Sequence, residues 1–341
     1  MIVDLRSDTL TQPNATMLEF MKKAKVGDDV FDEDPTIHEL QHHTARLFEK
    51  EAALFCPSGT MANQIAIKVH TQPAQEVICH EHSHVYLYEG GGMAFNSGVS
   101  VKLLQGDYGK ISALQIVDSI NPDNVHYPIT SLVVVENTSN KGGGSCYTMD
   151  ELKAIKAVCS ANNLKLHLDG ARIFNAIVAS QYTAAQIGDC VDTLSVCLSK
   201  GLGAPVGSLL LGNAETINKA RRLRKVFGGG MRQAGFLAAA GLYALQHNVV
   251  RLAEDHQRAQ AIAKALSACY FTESIMPVES NIIVFKIKDE IASHDILELL
   301  KSKGILTVPF GKQLLRMVLH LDINQSMVDY TIATLTGLTN K

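Results

Sequence analysis

Six short apolar runs, at residues 77–79, 101–104, 132–136, 165–168, 193–198 and 208–211, constrain this chain more than any other feature. Helical or turn patterns at 112–120, 148–162 and 183–187 fall between some of them. Strands so separated need crossover connections, which make neighbours parallel and bury both faces of the sheet. The expected class is therefore α/β. In such sheets ligands gather beyond the carboxyl ends of the strands. At one of those ends, within DTLSVCLSKGLGAPVGSLLLG (192–212), stands Lys200 among small and apolar neighbours. A poorly solvated lysine amine is suited to attack a carbonyl carbon and form a Schiff base. A lysine snorkelling from a core strand is the competing reading.

Around this sheet, helices are expected at 14–25, 36–49, 60–70 and across 233–269, with Thr36 and Glu39 forming a capping box. An acidic loop fills 26–35, and 52–55 is a brief apolar stretch. The order then changes to strand 280–287, helix 292–303, strands 305–308 and 314–320, and helix 325–338. That predicts a large domain over 1–249, with residues 1–25 packing near the site, and a smaller α+β domain over 250–341. With 341 residues, 46% hydrophobic and 19% charged, the chain has enough apolar material for both.

The net charge of −3 offers no basic field for nucleic acid or an anionic membrane. The start, MIVDLRSDTLTQP, does not read as a secretory leader, and no run approaches the roughly 20 apolar residues a membrane helix needs. Seven cysteines without a C-x-x-C pair suit buried thiols in a reducing, cytoplasmic setting.

Several motifs sharpen the chemistry. PSGTMAN (57–63) sets Ser58, Gly59 and Thr60 at the start of a helix, where free N–H groups suit a phosphate or need only an ordinary cap. In LHLDGAR (166–172), Asp169 ends a strand, and a carboxylate buried there needs a cationic partner. A protonated pyridine nitrogen is one candidate and Arg172 another; the fork of Arg172 also suits a substrate carboxylate. HEHSH (80–84) has zinc-protease spacing but follows a strand instead of lying on a helix, so no metal is expected. Its His84 is better used as a flat ring against another aromatic, or as a base. GLGAPVG (201–207) imitates a dinucleotide loop but runs through Pro205 into a strand, which argues against NAD. GGGMRQ (228–233) precedes a helix and is a second candidate anion site.

Taken together, DLRSDTLTQP, VGDDVFDEDPT, PSGTMAN, HVYLYEGGG, ENTSNKGGG, LHLDGARIFNA, SKGLGAPVGS, GGGMRQAG and RMVLHLD run in order from Asp4 to Asp322. The chain thereby resembles the threonine aldolases of the aspartate-aminotransferase-like fold (fold type I), which depend on pyridoxal 5'-phosphate. The resemblance implies a mostly parallel seven-stranded sheet and cleavage of L-threonine or L-allo-threonine to glycine and acetaldehyde. It also implies a homodimer or homotetramer with active sites at the subunit interface. Lys200 matches the lysine that carries the cofactor, Asp169 the partner of its ring nitrogen, and His84 the histidine stacked on its ring. Ser58, Gly59 and Thr60 match the phosphate cup, with Arg232 near the phosphate. Ser7, Arg172 and Arg316 match groups that hold the substrate carboxylate, and His126 one near the substrate hydroxyl. Two positions depart from the pattern: Ser139 stands where a histidine is frequent, and Phe31 where a tyrosine is. Side-chain and β-carbon preference stay open for that reason. Competing readings are a phenylserine-type aldolase, a β-eliminating lyase, an aminotransferase and a silent cofactor-binding scaffold.

Overall fold

The computed structural model describes residues 1–339. Its strands are β1 (Val3–Asp4), β2 (Ala52–Cys56), β3 (Glu76–His80), β4 (Ser100–Leu104), β5 (Thr130–Glu136), β6 (Lys165–Gly170), β7 (Thr193–Cys197), β8 (Ser208–Gly212), β9 (Thr272–Ile275), β10 (Ile282–Ile287), β11 (Ile305–Leu306), β12 (Val308–Gly311) and β13 (Leu314–Val318). The main sheet runs β2-β8-β7-β6-β5-β3-β4. Pairs among β4, β3, β5, β6 and β7 are parallel, while β8 is antiparallel to both β7 and β2. All six apolar runs are strands of this sheet, as α/β alternation requires. The seventh strand, β2, is the stretch at 52–55, pinned by Gln41, whose Oε1 accepts the Phe55 N–H at 2.9 Å.

The central strands are buried almost throughout, which is why they read as continuous apolar runs. Two helices gave weaker patterns. Ala214–Val226 is dominated by charge and buries only Ile217, Ala220 and Arg224. Ile173–Ser180 follows so closely on β6 that its apolar residues merge with the strand pattern. The 233–269 segment is two helices, Gly235–His247 and Leu252–Ser267, parted by a turn in which Asn248 donates to the Leu202 carbonyl at 2.8 Å. The cap of Pro35–Leu47 is Asp34, not Thr36. With Pro35 in the first turn, the Asp34 carboxylate accepts the N–H groups of Thr36 and Ile37.

A second antiparallel sheet, β12-β13-β10-β9, carries its own core, in which Phe271, Phe285 and Met317 are fully buried. Each such side chain contributes about 1.5–3 kcal/mol relative to exposure. Val3 and Leu5 belong to this same core, and β1 pairs in parallel with β11. The Val318 N–H then donates to the Leu5 carbonyl at 2.8 Å. Anchoring the first five residues there delivers Ser7, Asp8 and Thr9 to the seam between the two cores.

Candidate active site

The carboxyl ends of β6 and β7 and the start of the helix Gly59–His70 enclose a cavity of about 240 Å³. Ser58, Gly59, Thr60, His84, Asp169 and Lys200 line it together. A larger hollow of about 1100 Å³ beside His82 and Leu114 contains none of these groups.

At one end of the cavity the Ser58 hydroxyl caps the helix by accepting the Met61 N–H at 3.1 Å. The first N–H groups of a helix have no intrahelical acceptor, so those of Gly59 and Thr60 are available to an anion. Beside them lies the fully buried Ser208, whose hydroxyl has no partner among the described residues. A Cβ on Gly59 would come within 3.5 Å of that oxygen. Free N–H groups and an orphaned hydroxyl fit a phosphate.

Asp169 forms the floor. It is 2% exposed and sits beside Glu136 of β5 and Ser195 of β7 in the sheet register. Its Oδ1 accepts the Ala171 N–H at 3.0 Å and its Oδ2 accepts from Asn63 Nδ2 at 2.9 Å. Among the described residues no lysine or arginine is paired with it. A buried carboxylate lacking a cation is costly, so its place in the cavity wall fits a protonated ring nitrogen.

Arg172, the expected alternative partner, is taken elsewhere. Its Nε and Nη2 donate to the two oxygens of Asp8 at 2.7 and 2.8 Å. Burial would raise the Asp8 pKa, but the charge and hydrogen bonds of Arg172, with Lys200 and Asn281, hold it down at about 2. The sequence reading missed this pair because Asp8 and Arg172 meet only through the N-terminal anchor.

Two acids on the floor also went unrecognised. Glu89 has its Oε1 accepting from Asn63 Nδ2 at 2.8 Å and from His84 Nδ1 at 3.0 Å, while Oε2 accepts from Gln64 at 2.6 Å. Glu136 accepts the backbone N–H groups of His84 and Asn140 at 3.0 and 2.8 Å; its burial, then the neighbouring Asp169 charge, raise its pKa. Only the position of Glu136, at the carboxyl end of its strand as Asp169 is near that of β6, signals a role in the sequence. Burial would lower the pKa of His84, yet the Glu89 hydrogen bond and the charges of Asp169, Glu89 and Glu136 raise it. With Nδ1 donating to Glu89, Nε2 is the ring atom left for a ligand. The ligand atoms of His84, Glu89 and Asp169 lie within 4.8 Å of one another, but His84 and Asn63 already tie the two acids together by hydrogen bonds.

Beside the cavity, toward the second core and outside its lining, stands a cationic wall. Arg316 donates from Nη1 to Asn140 Oδ1 at 2.8 Å and from Nη2 to the Arg6 carbonyl at 3.0 Å. Its buried Nε has no partner among the described residues. Burial, then the charge of Arg172, lower its pKa to about 10. Ser7 hydrogen-bonds Thr9, its Oγ accepting the Thr9 N–H at 3.2 Å.

Five expected positions, Ser7, His126, Arg172, Arg232 and Arg316, are not among the residues lining the cavity. His126 is exposed on the loop before β5, hence at the amino end of the sheet, opposite Asp169. Arg232 donates to Asp28 at 2.9 Å and lies over the Phe31 ring at 5.8 Å, with Phe31 70% exposed. Ser139, the other departure, is buried in the turn before Ser145, where its hydroxyl accepts the Gly142 N–H. In the HEHSH motif, His80 donates from Nε2 to the Gly106 carbonyl at 3.0 Å while its Nδ1 accepts the His82 N–H at 2.9 Å. Both ring nitrogens are therefore engaged.

Comparison with known proteins identifies the family. A family described as beta-eliminating lyase matches residues 4–290. The low specificity L-threonine aldolase of Escherichia coli (strain K12) is 40% identical over 328 residues, 96% of each chain. Low-specificity L-threonine aldolase 1 of Arabidopsis thaliana is 38% identical over 338 residues, 97% of this chain and 94% of that one. The solved structure of a threonine aldolase from Leishmania major superposes with a TM-score of 0.87 at 21% identity, covering 99% of both chains.

Proposed function

Because the chain belongs to the threonine aldolases of the beta-eliminating lyase family, we propose that it cleaves the Cα–Cβ bond of L-threonine and L-allo-threonine, releasing glycine and acetaldehyde. Its cofactor is pyridoxal phosphate, which supplies when bound the sink for the electron pair left on Cα. Lys200 would carry that group covalently, Ser58, Gly59 and Thr60 would hold its phosphate, and Asp169 would face its ring nitrogen. The observation that carries this reading is one cavity that combines Lys200, an uncompensated buried Asp169 and an open helix N-terminus.

The chain's own groups supply the rest. Arg172 is paired with Asp8 while Arg316 has no ion-pair partner among the described residues, so a substrate carboxylate beside them would balance the wall. Arg316, with Ser7 near it, would hold that carboxylate, while Arg172 has already given two of its nitrogens to Asp8. A substrate pinned at its carboxylate has its Cα–Cβ bond oriented before the chemistry begins, which lowers the entropic part of the barrier. His84 Nε2 would take the β-hydroxyl proton, made more basic by the surrounding acids. Breaking the bond then requires only collapse of the resulting oxygen anion to the aldehyde.

The assembly we propose is a homodimer or homotetramer with sites at the interface. Supporting it are exposed apolar side chains, Phe95 at 91% and Val125 at 98%, and the placement of His126 and Arg232 outside their own chain's cavity. No helix among the described residues is long and apolar enough to cross a membrane. We place the protein in the cytoplasm, a reading supported by its seven buried free cysteines. Replacement Lys200→Ala tests the cofactor assignment: the visible absorbance of the bound cofactor and all turnover should vanish. A full band in the variant would overturn it.

A further inference from the structure

Asp169 is the last member of a buried hydrogen-bond chain that the reaction itself does not use. His70 and Asn63 lie two turns apart on one stripe of the helix Gly59–His70, and His167 and Asp169 share one face of β6. Thr193 of β7 is in register with His167. The contacts run from His70 Nε2 to Thr193 Oγ1 at 3.0 Å, from Thr193 Oγ1 to His167 Nδ1 at 3.0 Å, and from His167 Nε2 to Asn63 Oδ1 at 3.1 Å. Asn63 Nδ2 then reaches Asp169 Oδ2 at 2.9 Å and Glu89 Oε1 at 2.8 Å.

The chain can be polarised in one way only. Asn63 faces two carboxylates, so its NH₂ must lie on that side and spends both hydrogens there. Its Oδ1 is then an acceptor, which requires a proton on His167 Nε2. His167 is fully buried, and among the described residues its ring nitrogens meet only Thr193 and Asn63. In a neutral ring Nδ1 is bare and accepts the Thr193 hydroxyl proton. Thr193 Oγ1 in turn accepts from His70 Nε2–H. Every donor thus points toward Asp169 and Glu89.

We propose that His167 is a positioning residue for the cofactor contact: neutral and protonated on Nε2, it locks Asn63 so that Asp169 stays an ionised acceptor for the ring nitrogen. Burial also pushes the His167 pKa down to about 4, and that of His70 to about 4, in keeping with neutral rings. The reason such a lock is needed lies in the floor itself, where Asp169, Glu89 and Glu136 crowd three carboxyl groups. If His167 carried its proton on Nδ1, Asn63 Oδ1 would meet a lone pair. The amide would then turn and set its oxygen against two carboxylates. The inference rests on pyridoxal phosphate being the cofactor.

The test compares affinities of the full-length apoprotein for pyridoxal phosphate and for the analogue whose ring nitrogen is replaced by C–H. Wild type should prefer pyridoxal phosphate. His167→Phe should lose roughly tenfold or more in affinity for pyridoxal phosphate, with little change for the analogue, and His167→Gln, which keeps a donor, should recover most of it. Thr193→Val removes the proton that fixes the tautomer and leaves the imidazole in place. It should give a smaller loss of the same selectivity, and it serves if the phenylalanine variant does not fold. Equal losses for both ligands, or none, would overturn the role of His167. So would a ¹⁵N spectrum of the wild-type holoenzyme showing His167 protonated on Nδ1. A wild type that does not distinguish the ligands would instead remove the Asp169 assignment, and this inference with it.

Discussion

The floor of the cavity and the cationic wall beside it are built differently. The floor around Asp169 is closed: Asn63, His84, Glu89 and Glu136 satisfy one another, and the sheet register fixes their spacing. The wall around Arg172 and Arg316 is left with more positive than negative charge and with an Nε that has no partner among the described residues. Preorganised dipoles suit a group that stays bound, because their orientation is set during folding. An electrostatic deficit suits a ligand that comes and goes, because the ligand itself supplies the missing charge. This contrast supports the proposal that the floor takes the cofactor and the wall the substrate.

Substitutions on the two sides should therefore fail differently. Asp169→Ala should have the largest effect, lowering kcat on the order of 10²–10³-fold while some cofactor still binds, as measured by steady-state kinetics. Asp8→Asn leaves Arg172 buried without its charge partner and should cost about 3 kcal/mol in denaturant unfolding at neutral pH. Asp8 has a folded pKa of about 2, below its ordinary 3.8, so its stabilisation is complete above 3.8. It is lost as pH falls through about 2, where variant and wild type should converge. Arg316→Ala should raise KM for L-threonine about tenfold with a lesser change in kcat, since a carboxylate contact is made before and during the reaction. Equal damage to kcat would move Arg316 from the wall's role into the floor's. Smallest is Glu89→Gln. The raised His84 pKa puts the acid limb of the rate profile above that of an ordinary histidine, because Nε2 must be free to accept a proton. Losing the Glu89 charge should move that limb to lower pH, read from kcat/KM against pH.

The same contrast explains what the sequence discloses. Lys200 and Asp169 are legible because they end apolar strands, and Gly59–Thr60 because a glycine and hydroxyls precede a helix. The fold is legible from the same alternation, apart from charge-rich helices such as Ala214–Val226, whose buried stripe is thin. Asp8 is not, because its pairing with Arg172 depends on a strand that joins the second core. Glu89 and Asn63 lie on a turn and a helix that only packing brings together, 26 residues apart in sequence. His167 was within reach: it stands two residues before Asp169, and the two-residue period of a strand puts both on one face. His126 is named through the resemblance alone, which does not say at which end of the sheet it lies.

The central claim is carbon–carbon cleavage at a site whose floor holds the cofactor. It is tested most directly by incubating the pyridoxal phosphate-loaded protein with L-threonine and quantifying every product. The account predicts glycine and acetaldehyde in equal amounts. Ammonia with 2-oxobutanoate, or transfer of the amino group to a keto acid, would contradict it.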